Sequence, residues 1–316
     1  MTSGNKKPAG RLMNVLLIAI QYPVCSARYA YDALVRLGHD ARVSGPHAGA
    51  GLWGQTVDER YIWTPPAPED DWAPELLIIM DAHLPGDVAE GYTCPVVVYG
   101  VDSHVRSYAQ YKADRFFLAH QGVCLRPWDA ACEHLLCGYD PNVFTPGKPW
   151  RARQYDAALI GVLYNRRAEL LYAILEALPA QVRIAYGTGP VYDEYAGIYQ
   201  DARISLVSST NGDMAMRLWE TAAMGCLLLT DWCPDMDGAG LEDGENCLVY
   251  TSPQDAAGKV RWVLEHPDEA EQIALAGQQW AQSGTWDARL QRIVDWAEAQ
   301  NAPMKREKVT KNGTQI

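Results

Sequence analysis

Residues 202–230, ARISLVSSTNGDMAMRLWETAAMGCLLLT, decide the fold. The apolar runs Ile204–Ser208 and Cys226–Thr230 are short and bounded by polar residues, which is typical of strands buried on both faces. Between them, Met214–Met224 has the apolar spacing of a helix, and Gly225 is placed to end it. A strand, a helix and a second strand in this order predict a βαβ unit, and therefore a parallel sheet covered by helices.

The same alternation extends in both directions along the chain. In the first half it predicts strands over Val15–Ile20, Glu75–Met80, Pro95–Tyr99 and Arg115–Ala119, with a helix over Ser26–Leu37 that Ser26 caps and Gly38 ends. In the second half it predicts strands over Ala157–Gly161, Val182–Tyr186 and Cys247–Tyr250, helices over Arg167–Ala177 and Tyr192–Asp201, and closing helices from about 253 to 299.

The turn formers of Cys137–Gly147 separate these two series of elements. The chain of 316 residues is long enough for two domains of about 150 residues each. We therefore expect an α/β protein with two Rossmann-like, doubly wound domains, residues 1–146 and 147–300, facing each other across a cleft. Residues 301–316 are predicted to be a basic, disordered tail.

Charge and cysteine content narrow the class of protein. The net charge of −12 disfavours a nucleic-acid backbone as partner, although both ends are basic: Lys6, Lys7 and Arg11 at one end, and Lys305, Arg306, Lys308 and Lys311 at the other. Eight cysteines without a Cys-x-x-Cys pair match no standard zinc site, so we expect reduced thiols and no bound metal. The polar leader and the short apolar run Leu12–Ile20 predict a cytoplasmic chain without membrane insertion.

A resemblance to a known family is carried by residues 137–297. The segment 202–230, the motif Arg217-x-x-Glu220-x-x-x-x-Gly225, the continuation Gly244-Glu-Asn-Cys-Leu-Val-Tyr250 and the linker-like stretch Gly138–Pro146 resemble GT-B glycosyltransferases of the group-1/group-4 type, in particular the CgeB-like ones. The first 136 residues resemble the family only in outline. The resemblance implies a donor domain that binds a nucleoside diphosphate sugar, UDP-linked, as co-substrate, and no tightly bound cofactor.

The resemblance assigns roles to residues of the second half. In the family, the glutamate of the R-x-x-E-x-x-x-x-G helix accepts hydrogen bonds from the ribose, and Glu220 matches it; a solvent-facing helix residue is the alternative. Arg217, three residues earlier on the same helix face, is a candidate to neutralise the diphosphate, with a plain surface arginine as the alternative. Further candidate donor-binding residues follow the first two predicted strands of this half: Gly161, Asn165, Arg166, Arg167, Tyr186 and Gly187.

Each of these residue types suits a nucleotide. Two guanidinium groups at a helix N-terminus can hold a diphosphate and stabilise it as a leaving group. Gly187 and Gly189 permit the backbone to approach the nucleotide closely. Tyr186 is a candidate contact for the base, and a core position is the alternative.

The chain departs from the family at one position. Many relatives have a second glutamate, eight residues before the ribose glutamate, that contacts the donor sugar. Position 212 is glycine here, flanked by Asn211 and Asp213. Asp213 is a candidate substitute and Asn211 a candidate donor contact, which leaves the sugar and the stereochemistry open.

Acceptor activation is expected from the first half, where no glycine-rich phosphate loop follows the first strand. Asp102 and His104 lie just beyond a predicted strand, where side chains face the cleft, and are our preferred catalytic candidates together with Asp213. Asp81 and His83 have the same pattern and are the second choice, and a loop role is the alternative for each. Asp235-Met-Asp237 mimics a metal-binding Asp-x-Asp motif and is interpreted as a loop.

The predicted function is transfer of a sugar, in the manner of a hexosyltransferase, to an acceptor hydroxyl. The candidate acceptors are a hydroxymethylated pyrimidine in viral DNA, a surface glycan and a small metabolite. The basic and aromatic stretch from Arg106 to Phe117 favours the first of these and the overall charge disfavours it. The alternatives are a GT-B-fold nucleotide-sugar epimerase or hydrolase, and a non-catalytic nucleotide-sugar-binding module.

Overall fold

Two parallel β-sheets with helices packed on them organise the chain. The computed structural model describes residues 11–52, 54–103, 106–121, 129, 131–209 and 211–301. We call residues 11–146 the first half and residues 147–301 the second half. Among the helices described, none is both long and apolar enough to cross a membrane.

The first half contains a six-stranded sheet and a small hairpin. Its elements are β1 (Asn14–Ile18), α1 (Ser26–Leu37), β2 (Asp40–Ser44), the hairpin strands β3 (Gly51–Leu52) and β4 (Gln55–Thr56), β5 (Leu76–Ile79), β6 (Val96–Gly100), β7 (Arg115–Leu118) and β8 (Cys132–His134). The large sheet has the order β2-β1-β5-β6-β7-β8, and all its pairs are parallel. Every residue of β5 and β6 is buried, as the unbroken apolar runs predicted.

Of the two residues expected to bound α1, Gly38 ends the helix but Ser26 does not cap it. Gly38 adopts the left-handed conformation at φ 96°, and the amide of His39 closes the helix on the carbonyl of Leu34 at 3.0 Å. Ser26 is the first helical residue and not the cap. Cys25 occupies the capping position and contributes no side-chain hydrogen bond there.

The second half contains a five-stranded sheet and six helices. Its elements are β9 (Tyr155–Ile160), α2 (Asn165–Ala177), β10 (Ile184–Gly187), α3 (Asp193–Gln200), β11 (Ala202–Leu206), α4 (Arg217–Ala223), β12 (Leu227–Asp231), β13 (Leu248–Tyr250), α5 (Pro253–Glu265), α6 (Pro267–Ala281) and α7 (Trp286–Asn301). The parallel strands have the order β10-β9-β11-β12-β13. This is a doubly wound sheet whose direction of winding reverses at β9.

Helix α4 begins three residues later than the apolar spacing predicts. The amide of Asn211 donates to the side chain of Asp213 at 3.0 Å, and the amide of Met214 donates to the carboxylate of Asp235 at 3.3 Å. These bonds hold residues 211–216 as a loop at the carboxyl end of β11, with Gly212 at φ 74°. The loop, and not a longer helix, therefore faces the region between the sheets.

The chain crosses between the two halves twice, and the two crossing segments lie next to each other. Tyr139 of the linker pairs with the segment before α7, since its amide donates to Gly284 at 2.9 Å and its carbonyl accepts from Trp286 at 3.0 Å. Helix α7 then packs on α1, and the buried ring of Trp286 meets Tyr99 of β6 edge-on, with centroids 5.6 Å apart. The last helix thus completes the core of the first half although it follows the second half in sequence.

Candidate active site

A cavity of 260 Å³ lies where the carboxyl edges of the two sheets meet. Val24 and Tyr29 line it from the first half, beyond β1, and Phe144 from the linker. The remaining lining belongs to the second half: Ile160, Gly161, Arg167, Pro190, Val191, Tyr192, Tyr195, Ala215, Met216, Arg217 and Glu220. Both β1 and β9 are points where the winding of their sheet reverses, which is where open α/β sheets bind ligands. We call this cavity the switch-point pocket.

Glu220 brings a carboxylate into the switch-point pocket. The residue lies on α4 and is only 7% exposed, so the solvent-facing alternative is wrong. The hydroxyl of Tyr195 donates to its Oε2 at 2.9 Å. Burial raises the pKa of Glu220 to about 7, although the Tyr195 hydrogen bond and the charge of Arg217 lower it in part. The switch-point pocket therefore contains a buried carboxyl group, whose oxygen atoms can accept hydrogen bonds from hydroxyl groups.

Two guanidinium groups stand beside this carboxylate. Arg217 donates to the carbonyl of Ile160, and Arg167 donates to the carbonyl of Val162 at 3.1 Å. Nε of Arg167, and Nε and Nη1 of Arg217, are shielded from solvent and have no hydrogen-bond partner. Burial lowers the pKa of Arg167, and the neighbouring charge of Arg217 lowers it further. Arg217 is thus not a plain surface arginine; the pair forms a cationic site with spare donors, suited to an anion with several oxygens.

Gly161 leaves room for this arrangement. Its φ is +133°, and a Cβ atom at this position would lie 2.7 Å from Nη2 of Arg217. Gly187, at the end of the neighbouring strand β10, has a φ of +146°, and a Cβ atom there would meet nothing within 4 Å. The backbone conformation favours glycine at both positions, and at 161 a Cβ atom would in addition displace the guanidinium of Arg217.

The other predicted donor-binding residues surround the switch-point pocket without lining it. Asn165 is exposed as the first residue of α2, and Arg166 is exposed and donates to the carbonyl of Ser209 at 3.3 Å. Tyr186 is 54% exposed, so the core alternative is wrong and its ring is accessible to a ligand. Asn211 lies exposed in the loop after β11.

The predicted catalytic carboxylates Asp102 and Asp213 lie beyond the carboxyl ends of strands in different sheets. Burial raises the pKa of Cys137, and the charges of Asp102, Asp213 and Glu220 add to the rise. Asp102 is exposed just beyond β6, and Asp213 is half-buried in the loop after β11. His104 lies outside the described residues.

The second-choice pair has a local role. Asp81 accepts hydrogen bonds from the amide of His83 at 2.8 Å and lies 3.0 Å from its Nδ1. A carboxylate bonded to the residue two positions on stabilises a turn. The loop alternative that the sequence left open is the one observed for this pair.

Aromatic residues that sequence reasoning missed close one side of the switch-point pocket. The rings of Tyr29 and Tyr192 are stacked, with centroids 5.9 Å apart, and the guanidinium of Arg28 lies 4.5 Å from the centroid of Tyr192. Tyr192 has a φ of 54°, a strained conformation for a residue with a side chain. Tyr29 and Tyr192 are far apart in sequence, and the backbone strain at Tyr192 depends on how the elements pack. The only signal for a functional role in the sequence was that both residues follow predicted strands.

A buried hydrogen bond between a histidine and a carboxylate joins the halves next to the site and was also missed. Nδ1 of His120 lies 2.9 Å from Oδ2 of Asp235, and its Nε2 lies 2.9 Å from the carbonyl of Val101. The amide of Gln121 donates to Asp235 at 2.7 Å. Burial alone would raise the pKa of Asp235, but these hydrogen bonds and the charge of His120 lower it below its usual value. Asp235 of the Asp-x-Asp motif thus lies in a short 3-10 helix, Pro234–Met236, where a loop was expected, and it binds a histidine of the other half.

Two doubly wound parallel sheets with a cationic pocket between their carboxyl edges define the class of the chain. This is the GT-B glycosyltransferase fold, and the comparisons with known proteins agree. The model of the glycosyl transferase-like family matches residues 148–295. No curated protein matches the chain in sequence.

Three solved structures illustrate the likeness. Sucrose-phosphate synthase from Thermosynechococcus elongatus superposes with a TM-score of 0.64 at 13% identity, covering 93% of this chain and 100% of that chain. HepE from Anabaena, solved with UDP and glucose, has a TM-score of 0.67 at 12% identity, covering 91% of this chain and 100% of that chain. An α-glucosyltransferase, solved with UDP and a 13-mer DNA containing an HMU base, has a TM-score of 0.63 at 9% identity with the same coverage.

Proposed function

We propose that the protein is a glycosyltransferase of the CgeB-like group that moves a hexose from a UDP-sugar to an acceptor hydroxyl. The observation that carries the proposal is the pair Arg167 and Arg217, whose shielded N–H groups lack partners, next to Gly161 and the buried Glu220. This set combines spare donors for a diphosphate with an acceptor for ribose hydroxyls. The complexes of HepE with UDP and glucose, and with UDP-glucose, support UDP as the nucleotide.

In this proposal the residues divide the chemistry between them. Arg167 and Arg217 bind the diphosphate and neutralise the charge that grows on its terminal oxygen as the sugar leaves. Glu220 exchanges its bond with Tyr195 for the ribose hydroxyls. Asp213, from the second domain (residues 147–300), contacts the donor sugar. Asp102, from the first domain (residues 1–146), orients or deprotonates the acceptor hydroxyl.

A thermal-shift titration tests the donor site. Wild type and Glu220→Ala are titrated with UDP, GDP, ADP and their glucose conjugates, and Glu176→Ala, which removes an exposed carboxylate from α2, serves as the matched control. We expect one nucleotide family to stabilise wild type and the control but not Glu220→Ala. Equal stabilisation of all three proteins would refute the site, and no stabilisation of wild type would refute the function.

Turnover of the donor sugar nucleotide distinguishes a transferase from an epimerase, a hydrolase or a binding module. A transferase consumes its donor slowly until an acceptor hydroxyl is added, because the acceptor completes the reacting geometry. We expect release of UDP from UDP-glucose to accelerate when an acceptor is supplied. An epimerase or hydrolase would convert the donor at full rate without acceptor, and a binding module would not convert it at all.

A further inference from the structure

Exposed aromatic rings gather at the carboxyl edge of the second sheet. Five Tyr, Trp or Phe side chains of the described residues are largely exposed, and three of them lie at this edge: Tyr164, Tyr186 and Trp232. They lie at or just beyond the ends of β9, β10 and β12. Exposed aromatic rings at an edge of a sheet where ligands bind can contact a ligand, because each ring offers a flat apolar face.

Trp232 lies on the far side of the switch-point pocket from the two tyrosines. Along the sheet, β10 and β9 carry Tyr186 and Tyr164, and β11 and β12 follow on the other side of β9. Strands are spaced about 4.8 Å apart, so the end of β12 is roughly 10 Å from that of β9, where Gly161 stands. Trp232, just after β12, therefore lies one strand beyond the loop after β11, which carries Asp213.

The backbone around Trp232 is held on both sides. Oδ1 of Asp231 accepts from the amide of Ser209 at 2.7 Å, which ties the residue before Trp232 to the adjacent β11 loop. Three residues later, the buried Asp235 binds His120 of the first half. The indole is nevertheless 56% exposed. A fixed loop therefore presents an apolar ring to solvent at the junction of the halves.

Charges near this ring select among ligands with a flat face. Asp231 accepts from the amide of Ser209 at 2.7 Å and Asp213 accepts from the amide of Asn211 at 3.0 Å, so both carboxylates are bonded to the loop after β11. Asp237 is exposed shortly after Trp232 in the chain. Arg166 is the cation that reaches the same loop, where it donates to the carbonyl of Ser209 at 3.3 Å. The charged side chains of this region are thus mainly acidic. Carboxylates accept hydrogen bonds from sugar hydroxyls and repel phosphodiesters.

We propose that Trp232 is the platform on which a pyranose ring of a neutral saccharide acceptor stacks. The apolar C–H face of the pyranose covers the indole, and the hydroxyl groups at its edge bond to the carboxylate of Asp231. The inference rests on the proposed function, because it assigns the acceptor of the same site. It favours a glycan over a modified DNA base as the acceptor.

The test uses ¹⁹F NMR of the full chain labelled with 5-fluorotryptophan. Comparison with Trp232→Tyr assigns the resonance of Trp232. Saturated with UDP, the protein is titrated with methyl glucopyranosides, methyl galactopyranosides and cellotriose, and separately with a DNA duplex containing 5-hydroxymethyluracil. We expect at least one saccharide to move the Trp232 resonance and the duplex to leave it in place. Trp262 lies on α5 and stacks on His266, which is between α5 and α6, and its resonance should not move.

Matched variants complete the test. Trp232→Ala should weaken saccharide binding about tenfold and leave UDP binding unchanged. Tyr172→Ala removes a 67% exposed ring from α2 and should change neither. The inference is overturned if no saccharide moves the resonance, if only the duplex does, or if both variants behave alike. Failure of UDP to stabilise wild type would instead refute the proposed function.

Discussion

Replacing Glu220 with glutamine should make the protein more stable at pH 8 and leave its stability at pH 4.5 unchanged. The pKa of Glu220 is about 7 in the folded chain, against an ordinary value of 4.5. Because the folded pKa is raised, stability from the neutral form is complete below pH 4.5 and is lost as the pH rises through 7. At about 1.4 kcal/mol per pKa unit, ionised Glu220 costs the folded state about 3 kcal/mol at pH 8.

Glutamine keeps the size of the side chain and an oxygen for the Tyr195 hydroxyl but carries no charge to bury. Urea unfolding of wild type and Glu220→Gln at intervals from pH 4.5 to pH 8, followed by tryptophan fluorescence, measures the difference between them. Other titrating groups cancel in that difference, which should grow by about 3 kcal/mol in favour of the variant. A difference that does not change with pH would show that ionisation of Glu220 does not destabilise the folded state. UDP should bind the variant more weakly at pH 8.

Three further outcomes follow from the contacts of the site. Arg167→Met should weaken UDP binding roughly 10- to 100-fold in calorimetry without lowering the free energy of unfolding, because it removes one of two mutually repelling charges and a charge-assisted hydrogen bond. Gly161→Ala should weaken UDP binding more than Gly187→Ala does, since both strain the backbone but only the first brings a Cβ against a guanidinium; equal effects would contradict this. Asp235→Ala should lower the free energy of unfolding by about 3–5 kcal/mol in urea, because His120 and the amides of Gln121 and Met214 lose the carboxylate to which they are hydrogen-bonded.

Most of the sheet architecture was predictable because buried parallel strands have a simple pattern. Val96–Gly100 is apolar or glycine throughout, and such runs admit few alternatives. Strands β2 and β8 escaped prediction because they form the edges of the first sheet. Only alternate residues of β2 are buried, and Cys132–His134 is half-buried and polar. Their pairing with β1 and β7 is a tertiary contact that local composition does not encode.

The candidate site was predictable to the extent that its residues lie in one motif. Arg217 and Glu220 stand on the same turn of α4, so their proximity followed from helical spacing. The pairing of His120 with Asp235 joins residues 115 positions apart from different sheets. The hydroxyl of Tyr195 reaches Glu220 from α3, a neighbouring helix. Contacts of this kind depend on how the elements pack, which no single segment of the sequence specifies.

The groups in the switch-point pocket make sense as a set only if a ligand joins them. Two adjacent guanidinium groups repel each other, and their shielded N–H groups without partners cost free energy of folding. The folded state loses stability whenever Glu220 ionises, and the charge of Arg217 offsets that loss only in part. A diphosphate would satisfy the spare donors and cancel the repulsion, and ribose hydroxyls would solvate the carboxylate. The free energy that these groups cost the folded chain is therefore available to binding, so the protein should gain most stability from ligands that contain both a diphosphate and a ribose, and less from pyrophosphate or uridine alone.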